Sequence, residues 1–393
     1  MNRRPDPSAE GVIRELELTG SAPDMPPETG GRLVYLLLRW QGRPVGRLVL
    51  EKGPVPDLET FRKSVLDAAA PGLSDMRRQE PAAGAASTDV AVVIATRNRA
   101  HELNATLDRI TALHPAAGAV IVVDSASDDP APVARAAARA GAQLVRLDRP
   151  GLSRARNAGA TAVSQPLVAF LDDDCHIDPG WLSGICAGFT SDMVHAVTGQ
   201  LLPAELETAA QILFLRAFHM DQRGFVTRSF HAASTPSRHW PLDPWRMGSG
   251  GNLAVRRRIF LAGGGFRTDL GLGTPSRGGE DLFFLWDTIR GGAQVVYRPD
   301  AMAWHRHHRN LDQLGRVMFG YGAGHAAFLR AARLAGAPRG RVALATLSWL
   351  ASRMVRLTGS VGGRGPLPPA MVLRELAGGA AGPVLARRAQ AAS

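Results

Sequence analysis

Four short strand-like runs punctuate the middle of the chain: VAVVIA (90–95), AVIVVD (119–124), AQLVRLD (142–148) and PLVAFLDDD (166–174). Between them lie AHELNATLDRITAL, PAPVARAAARAG and LSRARNAGATAV, whose apolar residues recur at helical spacing. Continuous apolar runs mark strands covered on both faces, and strand alternating with helix at this interval predicts a parallel, doubly wound α/β sheet. Ligands of such sheets bind at the carboxyl ends of the strands, where this chain places its polar residues. Upstream, RLVYLLLRW and VGRLVLE flank a QGRP turn and predict a hairpin. LETFRKSVLDAAA predicts a helix that PGLSD should end. The result is a small ββα-like appendage after an irregular start, with structure in that start expected only around VIRELEL. Residues 77–88, RRQEPAAGAAST, have linker composition. Beyond residue 190 the alternation loosens, and RVALATLSWLASRMVRL predicts a helix in an Ala, Arg and Gly rich tail. The expected divisions are an appendage and linker at 1–86, a central α/β unit at 87–330 and a helical tail at 331–393.

Composition narrows the partners. With 46 basic against 35 acidic residues the formal charge is +11, which attracts polyanions: nucleic acid, an anionic membrane face or phosphorylated small molecules. No zinc cluster or basic-aromatic signature supports nucleic acid. Two cysteines exclude a disulfide scaffold and fit a reducing compartment. No secretory apolar run and no span of about 18 apolar residues is present, so the expected location is cytoplasmic.

The acidic triplet Asp172-Asp173-Asp174 closes the fourth run. Three adjacent carboxylates repel one another unless a cation or a basic partner offsets them, and oxygen ligands suit Mg²⁺ or Mn²⁺ bridging to phosphate. In an extended chain Asp172 and Asp174 project to one side; a solvated turn or helix cap is the bland alternative. Gly278-Gly279-Glu280-Asp281 opens DLFFLWDTIRGG, where acids are also favoured simply by the helix dipole. Trp304-His305-Arg306-His307-His308 is either a metal contact or a basic anion site. GSGGNLAVRRR does not match a phosphate-binding P-loop and reads as a flexible loop. The large residues at 181–193 and 283–286 read as core, whereas Trp240 and Trp245, in a Pro-rich loop, are candidates for stacking on a ligand.

FLDDDCHIDPGWL resembles the DxD segment of glycosyltransferase family 2, whose members have the GT-A fold. VVIATRNRAHEL, VIVVDSASDD, GLSRARNAGA, GSGGNLAVRR, GGGFRTDLGLGTPSRGGEDLFF and AWHRHH resemble further segments in the same order, over roughly residues 88–330. The resemblance implies an inverting, metal-dependent transferase moving a sugar from a nucleotide donor to an acceptor hydroxyl. It implies that Thr96, Arg97, Arg99, Asp124, Arg156, Asp172 and Asp173 bind the nucleotide sugar. Asp124 would accept from a base imide, favouring a UDP- or dTDP-sugar. Asp174 and Asp172 would hold Mn²⁺ or Mg²⁺ with His305, His307 being the alternative. Asp281 would act as general base, supported by Glu280. The residues themselves also allow Asp124 to form an Asx turn and Arg97 and Arg99 a solvated loop. The acceptor would be a glycan, a lipid-linked molecule or a small metabolite, and the tail helix could touch an anionic membrane with its apolar face. A sugar nucleotidyltransferase and a degenerate binding module are the competing classes; ATRNRAHEL lacks the glycines that a triphosphate loop would need.

Overall fold

The computed structural model describes residues 10–20, 30–54, 56–79, 84–218 and 223–392. Much of the segment expected to be irregular (1–9 and 21–29), and residues 80–83 of the expected linker, lie outside them. In the N-terminal part β1 (Gly11–Glu17) pairs in parallel with β2 (Leu33–Trp40), which turns back into antiparallel β3 (Arg43–Leu50). Helix α1 (Leu58–Arg78) covers one face, capped by Asp57, whose carboxylate accepts the Thr60 N–H at 2.9 Å.

The ββα-like expectation therefore needs correcting: VIRELEL lies in a third strand, and the helix does not stop at Pro71. Tertiary contacts beyond the proline hold the extra turns. Gly72 lies so close to β3 that a Cβ would come within 2.1 Å of the Val45 carbonyl oxygen. Asp75 accepts the Thr227 N–H at 2.8 Å, and Gln79 bonds Thr227 and Arg298. The other face of this small sheet, Leu33, Tyr35 and Leu37, packs on Leu202, Leu206, Ile212 and Met302, so the appendage shares a core with the rest of the chain.

The central unit runs β4 (Val90–Thr96), α2 (Ala100–Thr111), β5 (Ala119–Ser125), α3 (Ala131–Arg139), β6 (Gln143–Leu147), α4 (Leu152–Thr161) and β7 (Leu167–Asp172). There follow β8 (Cys175–Ile177), α5 (Trp181–Gly188), β9 (Val194–Pro203), α6 (Ala209–Phe218), β10 (Arg228–Phe230), β11 (Asn252–Arg256), α7 (Arg257–Ala262), α8 (Glu280–Arg290) and β12 (Gln294–His305). Among the described residues the sheet order is β10-β12-β9-β11-β7-β4-β5-β6, with β8 on β12. The strands from β7 to β6 are parallel, as the apolar runs predict; β11 enters antiparallel between β7 and β9. GSGGNLAVRRR is thus not simply a flexible loop, because NLAVR is a strand with Leu253, Ala254 and Val255 fully buried. Alternation along β4 feeds both layers: Val90, Val92 and Ile94 share a core with residues of α2, α3 and α5, whereas Ala91 and Val93 share one with residues of α4 and α8.

The C-terminal part is α9 (Leu311–Leu334), α10 (Arg339–Val361) and α11 (Pro369–Ala392). The division expected at residue 330 falls inside α9, which is capped by Asn310 accepting the Gln313 N–H at 2.8 Å. Small residues seat these helices. A Cβ on Gly322 would meet the Glu375 carbonyl oxygen of α11 at 1.9 Å, and one on Gly279 would meet that of Gly324 at 2.5 Å.

Candidate active site

Register gathers the polar strand ends. Thr96 lies opposite Asp124, and Ala95 opposite Asp172, so β5, β4 and β7 deliver their last residues to one edge of the sheet. The chain then turns at Asp173 and Asp174 before β8. That turn separates Asp172, which pairs with Arg156, from Asp173 and Asp174, which both pair with Arg99, contrary to the extended geometry that would aim Asp172 and Asp174 alike.

Asp173 is buried, accepts from Thr96 Oγ1 at 2.7 Å and pairs with Arg99 Nη1 at 2.9 Å. Burial pushes its carboxyl up to about 7 despite the opposing Arg99 charge. Asp174 Oδ2 accepts from Arg99 Nη2 at 2.7 Å, and its Oδ1 lies 3.2 Å from His305 Nε2. Burial works to raise Asp174 as well, but His305 and Arg99 outweigh it and hold the group below the usual carboxylate range. Asp172 pairs with Arg156 Nη2 at 2.8 Å. His305 Nδ1 and His307 Nδ1 are 3.0 Å apart. Burial, then the neighbouring His305, push the His307 imidazole well below its ordinary value, which favours its neutral form.

Donor atoms of Asp174, Cys175 and His305 lie within 4.8 Å of one another; Asp172, also expected at the metal, is not in that group. Asp174 Oδ1 is buried without a hydrogen-bond partner, its approach to His305 being close but not aligned. An orphaned buried acceptor beside an imidazole is a fit for a divalent cation. Cys175 is fully buried and its thiol is pushed far up, chiefly by burial, so it offers a neutral sulfur and belongs to the core.

Arg156 on α4 joins the two acidic segments. It is buried, its Nη1 lies 3.1 Å from Glu280 Oε1, and it reaches Asp172 on the other side. Burial works against its charge, but Asp172, Glu280 and Asp281 outweigh that cost. Asp281 is half-buried, and its Oδ2 accepts the Gly250 N–H at 2.9 Å. Glycine is required along this wall: a Cβ on Gly251 would come 2.4 Å from Asp172 Oδ2, and one on Gly250 would come 2.8 Å from Asp281 Cβ. Glu280, by contrast, is buried, and burial followed by the adjacent Asp281 charge pushes it up to about 7.

A carboxyl whose folded value exceeds its unfolded one stabilises the fold while protonated. That contribution is present below about 4.5 and is lost as pH rises through about 7. Glu280→Gln should therefore raise the metal-free unfolding midpoint near pH 8 and flatten its fall from about pH 4.5 to about pH 7. Thermal denaturation across that window checks this; an unaltered slope would assign the fall to other groups.

Other expected residues take less open positions. Asp124 is buried; its Oδ1 accepts the Ser127 N–H three residues on at 2.9 Å, and its Oδ2 pairs with Arg146. Arg97 donates to the Ala126 carbonyl at 3.1 Å and lies near Asp128. Trp240 is core, stacked on Phe230, whereas Trp245 keeps 43% exposure, accepts Arg223 Nη2 on its carbonyl at 2.6 Å and meets His325 edge-on. Arg146, Thr106 (which donates to the Asp173 carbonyl at 2.8 Å) and Arg223 escaped the sequence reading. Arg146, one strand over from Asp124 at the end of LVRL, carried the only local signal.

The profile described as "Glycosyl transferase family 2" matches residues 91–262. A pre-mycofactocin glycosyltransferase of Mycobacterium tuberculosis is 27% identical over 243 residues, 61% of this chain and 47% of that protein. An uncharacterized glycosyltransferase of Mycobacterium bovis is 38% identical over 114 residues, 29% of this chain and 49% of that one. The chain thus spans about half the length of these curated relatives. The mannosyltransferase PcManGT from Pyrobaculum calidifontis, solved with GDP-Man and Mn²⁺, superposes with a TM-score of 0.51 at 19% identity. That superposition covers 80% of this chain and 94% of the other.

Proposed function

From a chain that carries a glycosyltransferase family 2 domain of the GT-A type, we propose an enzyme that transfers a sugar from a nucleoside diphosphate sugar to an acceptor hydroxyl with inversion. The observation that carries this reading is the single buried guanidinium of Arg156 between Asp172 and Glu280, which ties the end of β7 to the first residue of α8. Asp174 and His305 would hold a divalent cation there, Mn²⁺ accommodating the imidazole better than Mg²⁺. A cation so bound supplies Lewis-acid charge that offsets the diphosphate as it leaves.

The protein's own groups do the rest. Arg99, on the far oxygen of Asp174, orients that carboxylate, and its half-exposed guanidinium would offer charge to a donor phosphate. Asp281 accepts the acceptor proton, its carboxylate aimed by the Gly250 N–H. Glu280, tied to Arg156, is a positioning residue. Attack opposite the leaving diphosphate inverts the anomeric centre.

Asp124 supports a uracil or thymine donor, although Ser127 and Arg146 already engage both of its oxygens. The GDP-Man bound by the mannosyltransferase makes guanine the other arm of the test. The test is a thermal-shift series with UDP, dTDP and GDP, each with Mn²⁺ or with EDTA. One nucleotide should raise the midpoint by several degrees only when the metal is present, and Asp174→Asn should remove that metal-dependent part. An equal shift in EDTA would overturn the assignment of Asp174.

A further inference from the structure

Helix α10 shows solvent a face that water does not favour. Leu344, Leu347, Leu350, Met354, Val355 and Val361 are all exposed, Leu347 at 64% and Val355 and Val361 at 72%. They repeat at intervals of three, four and seven and lie on one side of a helix about 35 Å long. The opposite side is committed to the fold: Ala345 and Trp349 are buried, Trp349 stacks on His325 with ring centres 5.3 Å apart, and Arg353 bonds Glu375 of α11 at 2.8 Å. The helix contains no acidic residue. Arg339 and Arg341 at its start and Arg364 just past its end are exposed and pair with no carboxylate among the described residues. No described helix is long and apolar enough to cross a membrane.

We infer that the outer face of α10 is a docking surface for an anionic lipid bilayer, lying in the interface with its side chains among the acyl chains and its terminal arginines at the headgroups. Burial of the apolar face supplies the attraction, and charge chooses the partner. A second copy of the chain is the poorer occupant, because both carry +11. Antiparallel pairing of two α10 helices would bring Arg339 and Arg341 against Arg364, and parallel pairing would set like on like. The inference stands on the surface alone and does not depend on the transferase reading.

The experiment is co-sedimentation of the full chain with phosphatidylcholine vesicles, with and without about 30% phosphatidylglycerol. Binding should be at least about tenfold stronger with the anionic lipid and should weaken with salt. The double variant Leu347→Glu/Met354→Glu should lose about tenfold or more of it with an unchanged unfolding midpoint, since both positions are exposed. Arg339→Gln/Arg341→Gln/Arg364→Gln should remove mainly the preference for phosphatidylglycerol. Failure to sediment with anionic vesicles overturns the inference, as does wild-type binding by the double Glu variant. A dimer that ignores vesicles and is split by that variant also overturns it and assigns the face to a second copy.

Discussion

Asp281→Asn is expected to lower turnover by about 10²–10⁴-fold while leaving the nucleoside diphosphate bound as before. Asp281 is the accessible member of its pair, Glu280 being buried against Arg156. The Asn amide oxygen can still accept the Gly250 N–H that now reaches Asp281 Oδ2 at 2.9 Å, so the tie to that loop is kept, and only the Leu282 N–H on Oδ1, at the first turn of α8, is given up. What disappears is a group able to take a proton. Release of nucleoside diphosphate from a nucleotide sugar with water as acceptor measures the first quantity, and the metal-dependent thermal shift measures the second. Turnover within about twofold of wild type would remove Asp281 from the base role.

The second large effect concerns stability. Arg156→Met should cost about 3–5 kcal/mol, because it leaves the buried carboxylate of Glu280 and the partner oxygen of Asp172 without their cation. Glu280 is already pushed up to about 7, so protonation relieves part of that loss, and the deficit should shrink as pH falls below neutrality. Arg156→Lys keeps the charge but cannot hold two carboxylates with separate nitrogens, and it should recover only a fraction. Urea denaturation near pH 8 and near pH 5 decides the matter; a Met variant within about 1 kcal/mol of wild type at both would contradict the bridging role.

The parallel half of the sheet could be read because VAVVIA, AVIVVD and LVAFLD are covered on both sides and need no polar face. Strand β11 escaped because five residues behind GSGG are too few for periodicity, and only its antiparallel neighbours bury it. Pro71 misled for a related reason: tertiary bonds from Asp75 and Gln79 override a local helix stop. The acidic triplet was visible as chemistry, but the turn that divides it between Arg156, Thr96 and Arg99 was not. Least legible was the Arg156–Glu280 pair, whose partners stand 124 residues apart. A contact of that kind leaves no trace in local spacing.

The seat of the glycine pair before α8 has a further consequence. A Cβ on Gly279 would strike the Gly324 carbonyl oxygen at 2.5 Å, and one on Gly324 would strike the Gly278 carbonyl carbon at 2.9 Å. Neither position can drift alone. Across a lineage of such chains both glycines should be retained, and the C-terminal helices should be inherited with the turn before α8 rather than exchanged as a separate module.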